Sequence, residues 1–375
     1  MQGKSAQIRS ADRVRTGLPR KAVFAFAVLL ILALAACGGG IITSPASHLL
    51  FVSVTANNTI AGYRVDNNSG AFTALTGSPY FAGNSPASLV LHPSGNFLYA
   101  VNQLGNNISL FNVNTQVGSI TEVLPRTPTE VGPVSIVMNA TGTLLFCSNV
   151  FSTSISVYAV NGSTGALTQV SGSPFKTYSQ PGQLVVTPSG KFLYTINSTI
   201  SSIVGFAVSS TGALQALPVT PAPYPPTGAT IDPQGKYLIV INPTQNAFTM
   251  YFIHPSTGAL TTVPGTPLAA GTGPIAASVQ PDEQYVYIAN QTSNNLSGYS
   301  IDQSTGTPTE ISGSPFTVTS GPLFMQWDPN GEWLYVGGQS GKTVSEYEFS
   351  ADGTITSNSQ SFVTVQAPTS IAVGH

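Results

Sequence analysis

Pro181-Gly-Gln-Leu-Val-Val-Thr-Pro-Ser-Gly-Lys-Phe-Leu-Tyr-Thr-Ile-Asn197 holds two apolar runs on either side of a Thr-Pro-Ser-Gly turn. Pro presets φ for the first central turn position and Gly accepts a positive φ, so the chain reverses there. Two short β-rich runs joined in this way read as paired antiparallel strands. The unit recurs. A proline opens an apolar segment at Pro86, Pro133, Pro181, Pro226, Pro274, Pro322 and Pro368, at spacings of 47, 48, 45, 48, 48 and 46. Turns follow at His92–Gly95, Asn139–Gly142, Thr187–Gly190, Asp232–Gly235, Gln280–Glu283 and Asp328–Gly331, with Glu283 departing from the Gly pattern. Each turn leads into a second run: Phe97–Asn102, Leu144–Asn149, Phe192–Asn197, Tyr237–Asn242, Tyr285–Asn290 and Trp333–Gly338. A third follows, as in Ile108–Phe111, Ile155–Tyr158 and Val344–Tyr347. A Thr-Gly-Ala-Leu turn opens the fourth (Thr164–Leu167, Thr211–Leu214, Thr257–Leu260), and Gly-Ser-Pro-Phe/Tyr closes it at Gly77–Tyr80, Gly172–Phe175 and Gly313–Phe316.

Each unit is thus four short antiparallel strands, A to D. Such a sheet cannot bury both faces alone, and radial packing of the units gives a propeller. Leu49–Ser53, ahead of the first proline, is an additional second-strand run. The chain therefore begins with strands B, C and D of one blade and ends with Ser370–Val373, which supplies the missing A strand. The expectation is an all-β, seven-bladed β-propeller of four-stranded antiparallel blades over 47–375, its ring closed by the C-terminal A strand joining the N-terminal B, C and D strands.

Composition supports a packed chain. Hydrophobic residues are 42% and charged residues 7%, the reverse of a disordered composition. Residues 1–36 hold six basic side chains and one acid, so 37–375 keep six basic against thirteen acidic residues, the basic ones scattered singly. Nucleic-acid binding needs clustered phosphate neutralisers and is excluded as a partner. Arg20-Lys21 precedes an apolar run, Ala22–Ala35, too short for the roughly 20 residues of a spanning helix. This reads as a signal peptide.

The run ends in Leu34-Ala-Ala-Cys37, which resembles the lipobox of bacterial lipoproteins. The resemblance implies a signal peptide at 1–36, lipidation of Cys37 and a tether over 37–46. It places the protein at the cell envelope, membrane-bound through the lipid anchor. Gly38, where a retention signal would be Asp, favours the outer membrane. Cys147 is then a lone thiol in an apolar run, expected buried and inert.

The Pro-x-Gly turn, the Leu-Tyr-x-x-Asn strands (Leu98–Asn102, Leu193–Asn197) and the Thr-Gly-Ala-Leu turn resemble the lactonase-type seven-bladed propellers with YVTN-like repeats. The resemblance covers 47–375 and implies the fold. The family includes enzymes that hydrolyse 6-phosphogluconolactone or cyclise a carboxymuconate, and many surface proteins without an assigned reaction. Its enzymes work with His, Arg and Glu in a charged cleft, and no motif of this chain matches that set residue by residue.

A phosphosugar lactonase needs a cationic grip, usually Arg. Beyond residue 36 the arginines are Arg64, in a C strand, and Arg126, in a Pro-flanked segment. His48, His92, His254 and His375 stand without carboxylate companions at ligand spacing, so neither metal nor cofactor is expected. Gly337–Thr343 has one residue too few for a phosphate loop, Trp327-Asp328 occurs once, and Asp66–Gly70 lacks the distal Glu of a calcium loop. The Asn series Asn102, Asn149, Asn197, Asn242 and Asn290 reads as strand-end residues in Asx-turns. The D–A connections vary most and would gather Arg126, Glu130, Lys176, Tyr178 and Tyr224 around one channel mouth. On this reading the chain is an envelope binding or scaffolding module for carbohydrate, peptide or another envelope ligand. A lactonase-type hydrolase is the alternative.

Overall fold

In a computed structural model that describes residues 47–374, the second run of each repeat is buried on both faces. Phe97–Asn102, Leu144–Asn149, Phe192–Asn197 and Tyr237–Asn242 are buried at every position. A strand sandwiched between two neighbouring sheets favours a largely apolar run over alternation, and these B strands are mostly apolar up to their terminal Asn. Seven antiparallel sheets result. Blade 1 is the A strand Ser370–Val373 with B, C and D strands Ser47–Val54, Thr59–Asp66 and Phe72–Ala74. Blades 2 to 7 open at Pro86, Pro133, Leu184, Gly228, Pro274 and Pro322. The closure runs in register, with Leu50 opposite Val373 and Ser53 opposite Ser370. It pairs the inner edge of Ser47–Val54. The expectations for the signal segment, Cys37 and the tether lie outside the described residues.

Two features differ from the sequence expectation. The D strand is broken in two in five blades, as in Leu167–Gln169 and Phe175–Lys176, which pair with the same C strand. The Gly-Ser-Pro segment fills the gap. Ser78, Ser173 and Ser314 each accept, through Oγ, a C-strand N–H that the interrupted ladder leaves open (Gly62, Val157 and Gly298; 2.9–3.1 Å). The second difference concerns the Asn series. Asn102, Asn149, Asn242 and Asn290 are fully buried strand residues whose amides donate to C-strand side chains, such as Ser109, Ser156, Thr249 and Ser297. Of the series, Asn197 makes the Asx-type bond, to Ile200 N–H. The left-handed asparagines are instead Asn58, Asn106, Asn246 and Asn294 in the B–C turns. Each accepts the N–H of the residue before the next blade's opening proline: Ser85, Gly132, Gly273 and Gly321. This repeated bond stitches blade to blade on the D–A face at four junctions.

On the opposite face the C–D turn docks against the preceding blade. At Gly258, with φ +68°, an added Cβ would lie 2.4 Å from the Phe192 ring, so Gly is required for both conformation and space. Tyr99, Tyr194 and Tyr287 lock this contact, each donating its hydroxyl to the turn carbonyl of Gly165, Gly258 or Gly353 at 2.7 Å. The closing seam between blades 7 and 1 is built differently. Tyr335 bonds His48 Nε2 at 2.8 Å, and His48 Nδ1 meets Asn67 Oδ1. Glu346, opposite Tyr335 in the sheet register, reaches the turn at Gly70 and takes a bond from Asn358 Nδ2. Its counterparts in the other C strands are Gly62, Leu110, Val157, Gly205, Met250 and Gly298.

Candidate active site

The A strands line an axial channel. Four cavities of about 370, 430, 370 and 210 Å³ share its walls, and Gln326 borders all of them. At the D–A end a bulge after the opening proline turns Ala87, Val134, Ile275 and Leu323 to the channel. The next position forms a belt. Ser370 accepts the Leu89 N–H, Ser88 that of Ile136, Ser135 that of Leu184 and Gln183 that of Ala229, at 3.0–3.4 Å. The belt stops where Gly228, Ala276 and Phe324 occupy that position. At Gly228 a Cβ would sit 2.6 Å from the Ile275 carbonyl oxygen, so the neighbouring strand leaves no room for a side chain.

The A–B end is where titratable groups meet the channel. Asp232 and Asp328, the first residues of their A–B turns, border the same 370 Å³ cavity with Thr230, Ser278, Gln326 and Trp327. Both are buried, at 3% and 2% exposure. Asp328 spends both oxygens on its turn: Oδ1 accepts from Glu332 and Trp333 N–H, and Oδ2 from Asn330 N–H. Asp232 accepts the Tyr237 N–H through Oδ1, and the backbone N–H groups of Lys236, Gln234 and its own residue also act on the carboxylate. Burial raises the Asp232 carboxyl, outweighing backbone N–H groups that pull it down. The neighbouring Glu283 is raised as well, first by burial and then by the Asp232 charge. A buried carboxylate made more basic, on the wall of a cavity, can take a proton from water. Trp327 Nε1 and Gln280 Oε1 are buried and unpartnered among the described residues close to this end. Among the described residues, no Lys, Arg or His borders the four cavities.

The residues expected at a D–A mouth do not border these cavities. Arg126 lies in the outer D strand of blade 2, Ser119–Pro128, and holds Glu122 in a two-point ion pair, Nε–Oε1 2.7 Å and Nη2–Oε2 3.1 Å. That pairing consumes the cation. Lys176 sits in the second D segment of blade 3, its Nζ 3.4 Å from the Ser152 carbonyl oxygen. Glu130 and Tyr224 are half-buried in D–A connectors, and Tyr178 is 93% exposed with φ +60°. Asp232 and Asp328 stand in the quoted turns, but His92, Asn139, Thr187 and Gln280 occupy the same position. A turn cap explains all six, and the pattern carries no further signal. Cys147 is fully buried, and burial pushes its thiol up.

A profile of the family described as "Lactonase, 7-bladed beta-propeller" matches residues 33–132, 82–177, 126–273 and 262–373. A 6-phosphogluconolactonase of Pectobacterium carotovorum is 24% identical over 197 residues, 52% of this chain and 46% of that protein. The chain spans less than half the length of the curated relatives it matches. Among solved structures, a candidate 6-phosphogluconolactonase of Bacteroides fragilis superposes with TM-score 0.75 at 20% identity, covering 90% of this chain and 100% of that one. A periplasmic gluconolactonase of Pseudomonas aeruginosa gives 0.73 at 18%, covering 88% and 99%. These proteins bear the names of lactone hydrolases, and the expectation of a non-catalytic binding or scaffolding module is corrected accordingly.

Proposed function

The chain belongs to the lactonase family of seven-bladed β-propellers, and from that membership we propose that it hydrolyses a lactone in its axial channel with Asp232 as general base. The observation that carries the reading is a buried carboxylate of raised basicity at one end of that channel. Asp232 takes a proton from water as its oxygen attacks the lactone carbonyl. The tetrahedral intermediate then breaks the ring C–O bond, and the leaving alkoxide recovers the proton, giving the hydroxy acid. Gln326, Ser278 and Thr230 supply neutral hydrogen-bonding groups beside that position.

Asp232→Asn tests this cleanly, because the amide oxygen preserves the turn. Asn139 occupies the equivalent position in blade 3, and its Oδ1 accepts the Thr143 and Leu144 N–H groups at 2.9 Å. The variant is expected to melt like the parent while losing about 10²–10⁴ in kcat on a lactone substrate. Full activity in Asp232→Asn, or no saturable hydrolysis of any lactone by the parent above the spontaneous rate, would overturn the assignment.

A further inference from the structure

We propose that the substrate is an uncharged, hydroxyl-bearing lactone rather than a phosphorylated one; the inference rests on the lactonase reading and narrows it. A phosphate dianion in a low-dielectric site needs converging cations, preferably Arg forks. Among the described residues, every side chain bordering these four cavities is apolar or neutral except Asp232 and Asp328, which repel an anion. Arg126 is spent on Glu122 on an outer strand, and Lys176 lies in a D strand. Lys236 points its Nζ to the Gln303 carbonyl oxygen and stacks over Tyr237 at 4.9 Å, so it too is engaged off the channel wall.

What the channel offers instead suits hydroxyls. Gln183 uses Oε1 on Ala229 N–H and keeps both amide hydrogens without a partner among the described residues. Gln326, exposed to the channel, makes a marginal 3.5 Å contact with the Trp327 carbonyl oxygen, so its amide is available to donate and accept. Ser88 and Ser135 accept a neighbouring N–H and retain hydroxyl hydrogens to donate. Neutral donors and acceptors at several heights, with a carboxylate base at one end, match a polyhydroxylated ring such as a sugar lactone. The cavities of about 370–430 Å³ fall within the roughly 300–1,000 Å³ of small-molecule sites.

The test compares glucono-1,5-lactone with its 6-phosphate on the purified full-length protein, by pH-stat, with spontaneous opening subtracted. Saturable hydrolysis of the neutral lactone is expected, with kcat/KM at least about 100-fold lower for the phosphate ester because its charge meets carboxylates and no cation. Gln326→Lys adds a cation at the wall common to all four cavities and should raise the phosphate-to-neutral ratio about tenfold. Preference of the parent for the phosphate ester would overturn this inference and leave the lactonase reading standing. So would an unchanged ratio in Gln326→Lys. Hydrolysis of neither lactone would overturn both.

Discussion

Replacing Glu346 by Gln should stabilise the protein at neutral pH and flatten its stability against pH. Glu346 is fully buried in the seam between blades 7 and 1, at a C-strand position that is Gly or apolar in the other six blades. One oxygen takes the Asn358 amide, and Oε2 has no partner among the described residues. Burial, the largest cause, and the Asp328 charge push its pKa up from 4.5 to about 8, while the Asn358 bond and the nearby Tyr335 hydroxyl pull the other way. The facing groups are thus Tyr335, Asn358 and Asp328, with His48 behind Tyr335. Because the native state holds this proton more tightly than the unfolded chain, the associated stability is complete below pH 4.5. It is lost as pH rises towards 8 and is level above that. Between pH 5 and pH 8 the loss is about 3 kcal/mol, at about 1.4 kcal/mol per pKa unit. Gln keeps the acceptor for Asn358 and cannot ionise. Urea unfolding of both proteins at pH 5, 6, 7 and 8 should show a difference that grows by about 3 kcal/mol across the series, the other carboxylates cancelling in the comparison. Parallel profiles would show that Glu346 titrates as it does in the unfolded chain, and the reasoning would fail.

Gly258→Ala puts a methyl into the Phe192 ring at a left-handed backbone position and should cost about 2–4 kcal/mol in urea unfolding; a change under about 0.5 kcal/mol would refute the docking role of that turn. Arg126→Ala removes an ion pair whose side chains are 33% and 19% exposed, so a loss below about 1 kcal/mol and an unchanged kcat/KM are expected. A collapse of activity would instead return the site to the D–A face. Deleting residues 367–375 removes the A strand of blade 1 and bares the edge of Ser47–Val54; aggregation on size-exclusion chromatography is expected, and a monomer with the parent's melting profile would contradict the closure.

The sequence placed the six later B strands at the residue ranges the structure shows, because a run buried on both sides is mostly apolar and here recurs after each turn. The ring closure was legible for the same reason, from seven second-strand runs around the repeat. The D strands were less so. Pro125-Arg126-Thr127-Pro128 read as a loop, yet Thr127 and Pro128 pair with the C strand. An outermost strand tolerates proline because its free edge needs no donor. That mistaken loop carried Arg126 to a mouth it does not reach. Glu346 had a visible signal, being the one charged residue in the fourth column of the C strands. It surfaces only when the seven strands are aligned position by position. Asp232 had none, since a turn cap and a general base ask for the same atom in the same place.

The pairing of Leu50 with Val373 joins residues more than three hundred positions apart. This sets an order of events during synthesis. The inner edge of Ser47–Val54 is made first and its partner last. At about 5–20 residues per second, the edge waits roughly 15–60 s for its strand. Throughout that interval it is a largely apolar template able to pair with any extended chain nearby. The blades between can assemble on neighbours already made, but the first blade cannot finish until the last few residues arrive. Yield in the cell should therefore depend on how well that waiting edge is shielded as much as on the stability of the finished ring.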